Sequence, residues 1–172
     1  LGLLNEPSWL RFIGDKGVHT LDDARDYISN GPVASYQRFG FGLYMTQQKS
    51  DGARIGLCGL LKRDALPDVD IGFALLPAYW GKGYALEAAA AVMEHARAAH
   101  GLRRIVAITN PDNERSIQLL AKLGMRQDGT VRISDPGLEL KYFVRDLAQP
   151  GAALAGHVSD LLVRELEGLC RE

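Results

Sequence analysis

Thiols are nearly absent from this sequence. Of 172 residues only Cys58 and Cys170 carry one. Two isolated cysteines make neither a disulfide framework nor a metal-ligand spacing, so no metal is expected. Cys58 lies in an apolar run and reads as a buried free thiol. Charge of either sign is not in excess: 20 Lys and Arg stand against 21 Asp and Glu, dispersed along the chain. That balance excludes the basic footprint of a nucleic-acid binder. No apolar run approaches membrane-spanning length, so no membrane partner is expected. No leader pattern opens the chain, and a cytoplasmic location is the default expectation. The first residues are Leu-Gly rather than Met, which suggests that the native start lies elsewhere. Internal repeats and low-complexity tracts are missing as well.

What is there suits one globular domain with one sizeable core, 47% apolar by composition. Asn5-Glu6-Pro7 opens a short helix carrying Trp9, Leu10, Phe12 and Ile13, which Gly14 and Gly17 break. Thr20-Leu-Asp-Asp23 resembles a capping box and opens a helix to about Ser29, stopped by Asn30-Gly31-Pro32. Residues 40–46 and 54–61 read as strands around the turn Lys49-Ser-Asp-Gly52, and 62–68 as a charged loop. A strand at 71–76, a helix at 84–100 and a buried-type strand at 104–109 follow. A helix from Asn113 to Gly124 and paired strands at 127–133 and 138–144 complete the pattern. Residues 148–156 read as a linker. From Val158 to Cys170 the apolar residues Val158, Leu161, Leu162, Leu166 and Leu169 recur at helical spacing, which predicts an amphipathic tail helix.

Asp70 to Ala88 is the most informative stretch. An apolar strand ends at Pro77, a loop with Gly81 and Gly83 follows, and an alanine-rich helix begins at Tyr84. Strand, glycine loop and helix in that order make an anion site. The first helical N–H groups lack internal partners, and the helix dipole adds partial positive charge there. A Gly-x-Gly pair alone is equally an ordinary strand-to-helix turn, and it lacks the ending of a phosphate loop.

Trp80-Gly-Lys-Gly-Tyr-Ala85 resembles the (Gln/Arg)-x-x-Gly-x-(Gly/Ala) pyrophosphate loop of the GNAT superfamily of N-acetyltransferases. Trp80 stands where Gln or Arg is usual, which is similar to the branch of ribosomal-protein N-terminal acetyltransferases. A second match runs from Ile105 through Thr109-Asn-Pro-Asp-Asn-Glu-Arg-Ser116 to Gly124-Met125. It resembles the family's next strand, its Asn-x-x-Ser/Ala helix start and its closing Gly-hydrophobe. The resemblance covers roughly residues 3–147. It implies an α+β, α/β/α-layered fold, with a mixed, mostly antiparallel sheet and helices on both faces. Residues 1–147 would form the acetyltransferase domain, and 148–172 a linker and tail helix. The family's first strand is missing or lies upstream, which would leave one sheet edge unpaired.

The implied reaction moves an acetyl group from acetyl-CoA, as cosubstrate, to a primary amine. By resemblance the N–H groups of Gly81, Lys82, Gly83, Tyr84 and Ala85, beside Trp80, bind the pyrophosphate. Backbone donors at Leu75 or Leu76 polarise the thioester carbonyl. Asn110 and Asn113 contact the pantetheine portion, although Asn is equally common in turns and at helix caps. Asp70, at the head of the core strand, is the candidate general base, with Asp68 second. Leu120 stands where many members carry a tyrosine acid, so Ser116 is the candidate partner of the leaving thiolate. Trp9, Phe12, Tyr36 and His19 are candidates for the acceptor pocket, with the 14–20 loop and the 134–137 turn.

Neutralising an α-amine of pKa near 7.8 at pH 7 costs about 1 kcal/mol, against about 4.6 for a lysine. A weak base therefore suits the α-amine of a peptide or protein best. Two alternatives stay open: acetylation of a small amine such as an antibiotic or metabolite, and a non-catalytic acyl-CoA sensor. The tail helix makes a homodimer possible.

Overall fold

The computed structural model of the chain describes residues 1–134, 137–147 and, as backbone alone, 161–164. Three short helices come first: α1 (Pro7–Phe12), α2 (Leu21–Ile28) and α3 (Ala34–Phe39). The hairpin β1 (Leu43–Gln48) and β2 (Arg54–Leu61) leads to β3 (Asp70–Leu75) and the long helix α4 (Tyr84–His100). Then come β4 (Arg104–Thr109), α5 (Glu114–Lys122), β5 (Arg126–Val131), β6 (Leu140–Asp146) and β7 (Leu161–Arg164). The strands form one seven-stranded sheet in the order β5-β6-β4-β3-β2-β1-β7. Every pairing is antiparallel except β3 with β4.

Period-2 alternation sends the strands' side chains to both faces of the sheet. Cys58, Leu60, Ile71, Leu75, Ile105 and Ala107 pack with α4 and α5 on one face. Met45, Leu57 and Ala74 pack on the other with Leu4, Trp9 and Tyr27 from the N-terminal helices. The expected α+β layering, with a mostly antiparallel sheet between helices, is what the structure has. Cys58 is fully buried, and burial pushes its thiol up to about 12. Among the described residues no helix is long and apolar enough to cross a membrane.

The capping box forms as expected. Thr20 Oγ1 accepts from the Asp23 N–H at 3.1 Å, and the Asp23 carboxylate takes the Thr20 N–H at 2.8 Å. The expected stop at 30–32 does not occur. The chain passes through one π-helical turn, Ser29–Val33, with Pro32 inside it, and continues into α3. Proline lacks the N–H that an α-turn needs, and the wider turn absorbs it. The end comes at Gly40, left-handed at φ +77°, whose N–H closes on Tyr36 O.

A second correction concerns the tail. Over Leu161–Arg164 the expected helix is strand β7, paired antiparallel with β1. The edge expected to lie open is therefore covered. An edge strand offers a full row of unpaired N–H and C=O groups, and that tertiary gain outweighs local periodicity. The rest of the expected linker and tail helix, Cys170 included, lies outside the described residues.

Candidate active site

The parallel pair β3 and β4 opens the sheet. One register pair, Asp70 with Val106, joins them, and the Val106 N–H donates to Val69 O at 3.0 Å. Beyond that rung the strands part. A cavity of about 960 Å³ fills the opening, lined by β3, β4, α5, the glycine loop and the N-terminal helices.

Ladder phase decides which backbone groups face it. The Leu76 N–H donates to Ile55 O at 2.9 Å, so its donor is spent inside the sheet. Antiparallel alternation then turns the N–H groups of Phe73 and Leu75 away from β2, toward the opening. Of the two expected carbonyl donors Leu75 fits and Leu76 does not. Phe73, which sequence reasoning missed, joins Leu75.

Gly81 and Gly83 adopt φ of +73° and +87°, and nothing in the protein lies within 4 Å of where a Cβ would stand. Glycine suits this left-handed backbone. Gly83 is the N-cap of α4, and no side chain caps it, so the first-turn N–H groups of Tyr84 and Ala85 stay open to an anion. The Lys82 ammonium sits 5.4 Å from the Tyr79 ring centre, and the Tyr84 hydroxyl accepts from Gln48 Nε2 at 2.7 Å. Trp80 is a bracket: its indole N–H donates to Leu75 O at 2.7 Å, and the Arg115 guanidinium lies 5.0 Å over its ring. It ties the end of β3 to both the loop and α5.

Asn113 caps α5, taking the Ser116 N–H on Oδ1 at 3.2 Å, and both residues line the cavity. Asn110 does not line it; its Oδ1 accepts from the Asp112 N–H in a local turn. Leu120 is buried in the cavity wall and carries no proton to donate.

Asp70 is 2% exposed and lies at the vertex of the opening. Its Oδ2 accepts from Arg63 Nε at 2.7 Å, while Oδ1 has no hydrogen bond of normal geometry. Burial raises its pKa, the Arg63 charge and hydrogen bond and then the Ile108 backbone oppose the rise, and the net value is about 6. A buried carboxylate with a pKa near 6 is ionised at pH 7 yet basic enough to take a proton. Asp68 is off the cavity.

Of the expected acceptor residues, Trp9 and Phe12 line the cavity, and Lys16 comes from the 14–20 loop. Tyr36 instead stacks on Tyr44 and donates to Leu43 O; His19 is exposed beside Asp15. No described residue of the 134–137 turn contributes. Arg63, Tyr27 and Arg115 also line the cavity, and sequence reasoning did not single them out.

The sequence profile described as "Acetyltransferase (GNAT) domain" matches residues 1–126. The uncharacterized N-acetyltransferase YnaD of Bacillus subtilis is 31% identical over 114 residues, 66% of this chain and 64% of that protein. The fold is shared with spermidine N-acetyltransferase of Vibrio cholerae, solved with CoA and spermine: TM-score 0.67, 14% identity, 84% of this chain and 86% of that one. It is shared also with ribosomal-protein-S5-alanine acetyltransferase of Vibrio fischeri: TM-score 0.59, 21% identity, 68% and 67% of the two chains. The ribosomal-protein branch is thus one structural neighbour among several. With the glycine loop, the parted strands and the family profile in agreement, the chain belongs to the GNAT acetyltransferase family, as an acetyl-CoA-dependent N-acetyltransferase.

Proposed function

We propose that this enzyme acetylates the α-amine of a peptide or protein, by direct attack in a ternary complex. One observation carries the reading: among the described residues the N-terminal helices and the chain before them wall the cavity with Leu3, Trp9, Phe12, Ile13 and Tyr27, and only two carboxylates line it, Asp70, already paired to Arg63, and Glu114 at the start of α5. A polycation such as a polyamine or aminoglycoside would call for several carboxylates there. A chain terminus with one amine and an apolar neighbour calls for one.

The donor's pyrophosphate fits the open N–H groups of Gly83, Tyr84 and Ala85, with Lys82 and Arg115 adding charge. Its pantetheine arm fits the gap between β3 and β4. The Phe73 and Leu75 N–H groups stabilise the carbonyl oxygen as it gains charge. Three strand steps, roughly 10 Å, separate Phe73 from Asp70, so the proton reaches the carboxylate over a short chain of waters. Asp70 takes the amine's proton as the C–N bond forms and the C–S bond breaks. The Ser116 hydroxyl donates a hydrogen bond to the departing thiolate, whose pKa near 8.5 leaves its protonation inexpensive at pH 7.

CoA release from acetyl-CoA against an amine panel tests this. The panel holds peptides with free N-termini, the same peptides N-blocked with an internal Lys, spermidine and an aminoglycoside. Turnover confined to free N-termini is expected. Turnover confined to the small amines would replace the proposal with a metabolic or resistance role.

A further inference from the structure

The Arg63–Asp70 pair is asymmetric in a way that a plain counter-ion does not require. Arg63 approaches the carboxylate through Nε. Among the described residues its two Nη groups make no hydrogen bond, although the side chain lines the cavity and is 36% exposed overall. A guanidinium that engages a carboxylate for strength alone does so with two parallel bonds, fork to fork. Here one edge of the guanidinium holds the base, and the other is left free in the chamber where the acceptor enters. Asp70 Oδ1, by contrast, is buried and faces the Ile108 backbone. The open partner of the pair is therefore the outer edge of the guanidinium.

An α-amine acceptor carries a group for that edge. The oxygen of the adjacent carbonyl lies three bonds, roughly 3 Å, from the amine nitrogen and accepts a hydrogen bond. A simple alkylamine or a polyamine has no such oxygen. We propose that Arg63 reads the carbonyl oxygen next to the reacting amine through its free Nη groups while Nε holds Asp70. Arg63 is then the specificity-determining residue that separates α-amino carbonyl acceptors from plain amines. This rests on the α-amine reading above and names the second group that such an acceptor must carry.

The shared chemistry is a carbonyl oxygen, neutral in a peptide and charged in a free amino acid, so both are assayed. Three acceptors are compared on wild type and on Arg63→Lys: a short peptide with a free N-terminus, the same peptide with an (E)-alkene in place of its first amide, and the free first amino acid. The value of kcat/KM is referred to the unprotonated amine, which removes the difference in amine pKa. Wild type is expected to prefer the peptide over its alkene isostere on the order of 10- to 100-fold, the range of a charge-assisted hydrogen bond. Arg63→Lys keeps a cation beside Asp70 and is expected to shrink that preference to within about threefold, whatever the change in the absolute rates. Because the readout is a ratio between acceptors on one protein, a loss of folded protein cancels.

An equal ratio in the two proteins, or no preference in wild type, overturns the role of Arg63 and leaves α-amine acetylation standing. Turnover of the amino acid but not the peptide, lost on Arg63→Lys, supports the role and reassigns the source of the carbonyl. Turnover of the alkene alone overturns both proposals.

Discussion

At the scale of single residues, the site turns on a carboxylate kept out of water. The folded pKa of Asp70, about 6, lies above its ordinary 3.8. The native state therefore holds this proton more tightly than the unfolded chain, and stability from this group is lost as pH rises from 3.8 to 6. Asp70→Asn removes the effect. In thermal unfolding at pH 4 to 7, the variant is expected to gain on wild type with rising pH, by a total on the order of 3 kcal/mol. The same substitution is expected to lower kcat about 10²- to 10⁴-fold. Wild-type kcat/KM should fall below about pH 6, with that limb missing from any residual activity of the variant. Ser116 does less in this scheme. Ser116→Ala is expected to reduce kcat about tenfold at pH 7 while acetyl-CoA affinity, read by calorimetry, stays within about twofold, since its backbone N–H still meets Asn113.

At the scale of elements, the proposed scheme gives donor binding to the loop between β3 and α4. Gly83→Ala places a Cβ on a left-handed residue at φ +87° and is expected to cost about 1–2 kcal/mol of stability. Acetyl-CoA affinity should drop at least about tenfold as the first-turn N–H groups turn away, while Asp70→Asn leaves that affinity nearly unchanged. Such local devices were legible in the sequence. The glycine pair, the Asn113 cap and the Thr20 capping box each lie within a few residues and need no tertiary partner. Arg63 was not legible. It stands in a loop that reads as solvated charge, and only the path from β2 into β3 returns its guanidinium to Asp70. Leu76 was misjudged because the phase of hydrogen bonding along β3 is set by β2, which sequence spacing does not reveal. Pro32 misled for a like reason, since a turn of another pitch can carry a proline that an α-helix refuses.

At the scale of the whole molecule, β7 closes the edge at β1. Leu161 and Leu162 fit a helical stripe, but four residues cannot hold out against a vacant sheet edge. Ending the chain after Leu147 is expected to bare the outer row of β1 and drive self-association, read as a rise in solution mass with concentration. A mass that does not change would assign β7 no protective role. The sheet also has a seam. Four strands, β7-β1-β2-β3, and three, β4-β6-β5, meet at the rung of Asp70 and Val106. Two panels so joined are candidates for separate opening units in native-state amide exchange, with the β4-β6-β5 panel opening at lower free energy. A donor lying between β3 and β4 fastens them together. The enzyme is then most open to proteolysis between turnovers, and its survival in a cell becomes tied to the local supply of CoA.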